Sequence, residues 1–137
     1  IGTASLTDHA LRFHKVGRDG SGKATIAPRP GTYVHGVVFR LDAEERPILD
    51  RHEDLGRGYE ARWISVERHN ESPLHVFTYN ALLRDPSLKP YSWYLEHVLH
   101  GARENRLPPE YIEGIAATST ITDPDGARDL RERSIYR

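Results

Sequence analysis

Turn-forming residues divide the first two-thirds of the chain into short segments. Clusters rich in Gly, Pro, Asn and Ser stand at residues 17–22, 28–31 and 69–73. These residues disfavour a continued β-ladder, and the segments between them are rich in the β-branched and aromatic residues typical of strands. We therefore predict about five strands joined by hairpins. The predicted strands are Ala10–Val16, Lys23–Pro28, Thr32–Leu41, Tyr59–Val66 and Leu74–Leu82.

The pattern of apolar residues becomes helical after Ser92. Four of them recur at the spacing of one helix face, namely Leu95, Val98, Leu99 and Ala102. Pro108-Pro109 ends this helix and can start another, from Glu110 to about Ala117. The order of strands followed by helices predicts an α+β fold.

A shorter helix and a charged tail complete the predicted organisation. Asp42-Ala43-Glu44-Glu45 offers a capping box, and Pro47 keeps the helix after it short. Asp123-Pro124-Asp125-Gly126 separates the last residues from the rest. We predict a single domain over residues 1–121 and a charged C-terminal tail over residues 122–137.

Composition excludes several classes of function. The 137 residues suit one domain, and 19 Lys and Arg against 20 Asp and Glu give a net charge of -1, which provides no general attraction to nucleic acid or anionic membranes. The chain has no Cys, so disulfides and thiolate chemistry are excluded. No run approaches the roughly 20 apolar residues of a membrane span, and a cytoplasmic location is expected. The absence of Met and the start at Ile1-Gly2-Thr3 suggest missing upstream sequence.

Two motifs resemble ligand-binding sites, but a simpler structural interpretation is favoured for each. Residues 17–24 nearly match the pattern of a phosphate-binding loop. However, Ala24 stands where that loop needs Ser or Thr, and a strand pattern follows where a helix is required. A glycine-rich hairpin loop is therefore predicted. His97, His100 and Glu104 have the spacing of metal ligands on one helix, but mixed charges favour a helix face in water.

Residue types alone do not decide the roles of four further residues. Glu53 ends the run Leu49–Glu53 at a turn, where a solvated carboxylate is the usual interpretation. Tyr79 shares a strand face with Phe77 and suits a core position with a locally bonded hydroxyl. Tyr59 and Tyr94 are equally plausible as packing residues or as hydroxyls presented to a pocket.

Five separated segments, taken in order and approximate spacing, resemble the gamma-glutamylcyclotransferase family, including its bacterial members. They are Asp19–Ile26, Gly36–Phe39, Leu49–Glu53 with Gly58-Tyr59, Tyr79, and Tyr94–Tyr111. The resemblance runs from about Gly2 to Tyr111 and implies a small, mostly antiparallel, barrel-like sheet with flanking helices.

The resemblance also implies a reaction. Members of the family cleave a γ-glutamyl amide by attack of the substrate's own α-amine, which releases 5-oxoproline. Glu53 matches the catalytic glutamate that transfers the proton, Tyr79 and Tyr94 would line the substrate pocket, and Tyr59 would help to shape it. Neither a metal nor an organic cofactor is implied. The expected partner is a small-molecule γ-glutamyl substrate, and a homodimer is possible. The alternative is a non-catalytic module that binds a small molecule or a protein.

The chain departs from the family pattern at its N-terminus. The family carries a Tyr-Gly-Ser-Asn type loop there, whose backbone amides bind the glutamyl head, and this sequence has no such segment. Either the loop was cut, or it was left out of this chain, or the protein has lost the activity. Without it, the 137-residue chain is expected to bind substrate poorly and to leave a sheet edge exposed.

Overall fold

The computed structural model describes residues 2–52 and 58–136, and in this part of the chain strands precede most helices. The elements are β1 (Gly2–Val16), β2 (Gly22–Val38), α1 (Arg46–His52), β3 (Tyr59–Arg68), β4 (Glu71–Ala81), α2 (Ser92–Glu104), α3 (Pro109–Ala116), α4 (Gly126–Arg133) and a short 3₁₀ turn at Ser134–Tyr136. The predicted α+β class is confirmed. No helix in the described part is long and apolar enough to cross a membrane.

The prediction of about five strands is wrong by one, because the turn-like residues Pro28–Gly31 do not end strand β2. Thr7 of β1 pairs with Tyr33 and His9 pairs with Pro28, so the intervening residues of β2 bulge out of the ladder. Asp8 has φ 56° on the opposite strand and accepts a 3.0 Å hydrogen bond from the backbone N–H of Gly31. Proline is tolerated here because β2 lies at a sheet edge, where ladder donors are not all needed.

The four strands form an open antiparallel sheet in the order β2-β1-β3-β4. Among the described residues, strand β1 meets β3 through the single pair Ser5 and Glu67, so the sheet consists of two hairpins with a narrow junction. Strands β2 and β4 are at opposite ends of this order but approach each other. The sheet therefore curls as a barrel does, although the described strands do not close it with a ladder.

The helices cover one part of this sheet and form the main core with it. Six side chains are buried together: Phe13, Leu95, Leu99, Ala102, Leu107 and Ile115. Three of them belong to the predicted apolar stripe of α2, which is confirmed. Burying a residue such as Leu95 contributes roughly 1.5–3 kcal/mol, so this cluster is the main apolar attachment of α2 and α3 to strand β1.

The polar residues after Thr122 form contacts rather than remaining in water. The buried carboxylate of Asp123 accepts hydrogen bonds from Trp93 Nε1 at 2.9 Å and from Arg128 Nη2 at 2.8 Å. Asp125 caps α4 by accepting from the backbone N–H of Arg128 at 3.1 Å, and Arg133 pairs with Glu96 of α2 at 3.0 Å. The segment that sequence analysis treats as a tail is thus helical over α4 and contacts α2.

These contacts predict acid-sensitive stability. Hydrogen bonds from Arg128 hold the pKa of Asp123 well below its usual range. The folded carboxylate is therefore favoured above the unfolded pKa of about 3.9, and its stabilisation is lost as pH falls below that value. We expect Asp123→Asn to lower the thermal unfolding midpoint at neutral pH. Between about pH 5 and pH 3, the unfolding midpoint of Asp123→Asn is expected to drop by less than that of the wild type.

Asp125→Asn is the matched control, because asparagine also caps helix N-termini. Its midpoint at neutral pH is expected to stay close to that of wild type. Equal midpoints for Asp123→Asn and wild type at neutral pH would contradict a stabilising role for the Asp123 contacts.

Candidate functional site

A cavity of about 550 Å³ is lined by residues from all four strands. Its volume lies within the roughly 300–1,000 Å³ of small-molecule sites. Most of its lining is apolar, including Leu6, Ile26, Ile64 and Val66. Leu49 of α1 also contributes, so the short helix forms one part of the wall. Tyr79 adds a polar group to this apolar lining.

The Tyr79 hydroxyl meets a carboxylate of helix α1. Tyr79 Oη donates a hydrogen bond of 2.5 Å to Asp50 Oδ1. Short bonds of this kind are typical of a hydroxyl donating to a charged oxygen. The Asp50 side chain is 23% exposed, so water only partly screens the contact.

Arg46 and the ring of Phe77 lie next to the pair formed by Tyr79 and Asp50. Arg46, one helical turn before Asp50, places its Nε 3.8 Å from Asp50 Oδ1. Its guanidinium lies 4.3 Å from the centre of the Phe77 ring. Phe77 and Tyr79 share a face of β4 and meet edge to face with centroids 5.7 Å apart. The segment Arg46–Asp50 is thereby attached to one face of β4 by charge and by ring contacts.

Tyr59 and Tyr94 converge on a single residue of strand β2. Tyr59 Oη donates to the carbonyl of Ala24 at 2.9 Å, and the backbone N–H of Ala24 donates to Tyr94 Oη at 3.0 Å. Backbone groups on an edge strand lack a ladder partner on one side. The two hydroxyls thus satisfy both polar groups of Ala24 and hold β2 to β3 and α2.

The glycine-rich segment before Ala24 is a hairpin loop, as predicted. Asp19 Oδ1 accepts hydrogen bonds from Ser21, at 3.0 Å from its N–H and 2.6 Å from its Oγ. Lys23 Nζ lies 3.3 Å from Asp19 Oδ2 and 4.7 Å from the centre of the Tyr94 ring. Lys23, which stands where a phosphate-binding loop has its lysine, therefore contacts the Asp19 carboxylate and the Tyr94 ring.

The histidines of α2 also have partners. His97 contacts Glu132 at 2.9 Å and the Tyr136 hydroxyl at 2.6 Å, while His100 lies 3.9 Å from Glu104. Within residues 2–52 and 58–136, no group of three or more His, Cys, Asp or Glu side chains is placed to hold a metal ion.

The structure separates the three predicted tyrosines. Tyr79 lines the 550 Å³ cavity, whereas Tyr59 and Tyr94 meet at Ala24 and are not among the described residues that line it. Glu53 lies outside the described residues, so its catalytic role stays a prediction, as do the roles of the three tyrosines. Asp50 was missed, although it belongs to the same run as Glu53. Its partner is 29 residues away in the chain, and no local pattern indicates that contact.

An open antiparallel sheet that curls around a cavity and carries flanking helices is the gamma-glutamylcyclotransferase fold. A solved gamma-glutamyl cyclotransferase structure superimposes with a TM-score of 0.86 at 23% identity, covering 98% of this chain and 84% of that one. A human protein described as uncharacterized gives 0.84 at 26% identity, covering 96% and 82%.

The AIG2-like family model matches residues 33–115, and the chain belongs to this family. A gamma-glutamylcyclotransferase from Mus musculus is 33% identical over 97 residues, which are 70% of this chain and 51% of the mouse protein. The chain thus spans about half the length of this curated relative. The family resemblance predicted from the sequence is confirmed.

The contacts at Ala24 predict that two tyrosines contribute to stability. Tyr59→Phe and Tyr94→Phe each remove one hydroxyl that bonds to the backbone of Ala24. Each substitution is expected to lower the free energy of unfolding by about 1 kcal/mol. Urea unfolding measures this change. Tyr33→Phe is the control, because Tyr33 is 54% exposed, and it is expected to be neutral. Wild-type stability in both Ala24-contacting variants would contradict this role.

Proposed function

We propose that this protein is a cyclotransferase that acts on a γ-glutamyl amide and releases 5-oxoproline. Membership of the AIG2-like family and 33% identity to the mouse gamma-glutamylcyclotransferase support the reaction class. The observation that carries the proposal within the structure is Tyr79, which lines a ligand-sized cavity and whose hydroxyl donates a hydrogen bond to Asp50. An apolar cavity with a few placed polar groups is typical of small-molecule sites.

The reaction forms one bond and breaks another. The α-amine nitrogen attacks the γ-carbonyl carbon, a five-membered lactam closes, and the bond from that carbon to the leaving nitrogen breaks. The α-ammonium must lose a proton before it attacks, and the leaving amine must gain one. In the proposed mechanism, Glu53 takes this proton and gives it to the leaving nitrogen. The attacking nitrogen loses a second proton as the lactam forms, and that proton also passes to the departing amine, which leaves as an ammonium ion. The reaction balances without water or an added cofactor.

The protein's further tasks follow from this intramolecular chemistry. Because nucleophile and electrophile belong to one molecule, the cavity has to hold the substrate in a folded conformation in which they meet. Tyr79 would contact the substrate there. Tyr94 and Tyr59 remain proposed pocket residues, and their hydroxyls also contact Ala24. A hydrogen-bond donor to the developing oxyanion is also required.

The leaving group is a separate question. A γ-glutamyl amino acid, a γ-glutamylamine, glutathione and a biosynthetic intermediate all carry the same γ-glutamyl head. They differ only in the group that departs, so a panel of these compounds assayed for 5-oxoproline would identify the substrate class. A non-catalytic module on the same fold is the second candidate, and it predicts binding without turnover for every compound.

The central prediction concerns Glu53. Glu53→Gln keeps the size of the side chain but removes the proton acceptor, so 5-oxoproline release from γ-glutamyl-alanine is expected to fall by about 10²- to 10⁴-fold. Glu44→Gln is the matched control, since it removes an exposed carboxylate before α1, and it is expected to retain wild-type turnover. Full activity in Glu53→Gln would show that another group is the base.

Two further expectations belong to the proposal. A homodimer fits the side chains of Phe39 and Trp63, which line the cavity and are 78% and 56% exposed, because exposed apolar surface often marks an interface. Sedimentation analysis would measure the oligomeric state. A cytoplasmic location rests on composition alone, and imaging of the tagged protein in its own cell would test it.

A further inference from the structure

We propose that Asp50 is a positioning residue that fixes the Tyr79 hydroxyl as a hydrogen-bond acceptor for the α-amine of the bound substrate. This inference rests on the proposed cyclotransferase function. It adds a residue to which sequence analysis gave no role, and it states which end of the substrate that residue serves.

The first step concerns the single proton of the phenol. Tyr79 Oη lies 2.5 Å from Asp50 Oδ1, and an ionised aspartate can only accept hydrogen bonds. The tyrosine therefore supplies the proton of this bond. Its oxygen can then offer only lone pairs to a ligand in the cavity, and the ligand group that it binds has to be a donor.

The second step concerns charge. Arg46 Nε lies 3.8 Å from the same Asp50 oxygen, and its guanidinium stacks over Phe77. The arginine thus places a compensating positive charge beside the carboxylate and limits its movement. Donation to a charged oxygen polarises the phenol and makes its oxygen a better acceptor, because hydrogen bonds in a chain strengthen one another.

The third step matches this acceptor to the substrate. A γ-glutamyl head presents an α-amine, which has N–H donors, and an α-carboxylate, which has none. An acceptor-only Tyr79 oxygen can bind the amine and not the carboxylate. Holding the amine by one N–H restricts its rotation, which favours the conformer that attacks the γ-carbonyl. Asp50 lies three residues before Glu53 in the chain, so both carboxylates belong to one short segment.

The test is a double-mutant cycle with two ligands. Asp50→Asn, Tyr79→Phe and the double variant are compared with wild type, and Glu44→Gln serves as the control for loss of a nearby charge. Substrate turnover is followed as kcat and KM for γ-glutamyl-alanine. Binding is followed by calorimetry for γ-glutamyl-alanine, on the Glu53→Gln background, and for glutaryl-alanine, which lacks the α-amine.

The expected result is specific to the amine. Each single variant lowers kcat/KM for γ-glutamyl-alanine by about 10- to 100-fold, as expected for loss of a hydrogen bond to a charged group. The double variant is no worse than the poorer single variant, because the two residues act as one unit. Affinity for glutaryl-alanine stays within about twofold of wild type in all variants. A merely structural role would weaken both ligands alike.

The remaining outcomes overturn one proposal or both. Additive losses, or equal weakening of both ligands, overturn the role of Asp50 while leaving a wild-type cyclotransferase activity intact. Binding that follows the expected pattern without 5-oxoproline release overturns the enzyme and retains Asp50 as an amine-positioning residue. A wild-type protein that neither binds nor converts γ-glutamyl-alanine overturns both.

Discussion

The buried hydrogen bonds between Thr25 and the end of β4 determine how the two hairpins are arranged. Thr25 Oγ1 donates to Asn80 Oδ1 at 3.0 Å and accepts from the backbone N–H of Ala81 at 3.0 Å. In the part of the chain that the structure describes, strands β1 and β3 share only the pair Ser5 and Glu67, so the sheet ladder alone holds the hairpins weakly. Leaving such buried groups unpaired costs about 1–3 kcal/mol each. These bonds keep β2 close to β4 and the sheet curled.

The position of the candidate site follows from this arrangement. Neighbouring residues of a strand point to opposite faces, so Asn80 can bond to β2 while Tyr79 meets helix α1. Pro47 lies at the second residue of α1, where the missing N–H costs nothing, and the following turn carries Asp50 towards Tyr79. The contacts that fold the sheet therefore also orient Tyr79 on the cavity wall, next to its partner Asp50, which links the stability of the sheet to the geometry of the site.

Much of the fold could be predicted from local sequence. The apolar spacing of Leu95, Leu99 and Ala102 predicted α2 because burial on one face demands that period, and the glycines before Lys23 predicted the hairpin. Pro28–Gly31 misled the strand count, since the same residues end a central strand but form a bulge in an edge strand. Whether a strand lies at an edge depends on the sheet order, which no local pattern contains.

The sequence by itself determined the family, the α+β class, the order of strands before helices α2 and α3, and the candidates Glu53, Tyr59, Tyr79 and Tyr94. These depend on residue types and spacings along the chain. Tertiary structure alone decided that Tyr79 meets Asp50, and that Tyr59 and Tyr94 share Ala24. Those partners are separated by 29, 35 and 70 residues. Hydrogen bonds over such separations form only once the strands and helices have packed, because packing sets which hydroxyl reaches which backbone or carboxylate oxygen.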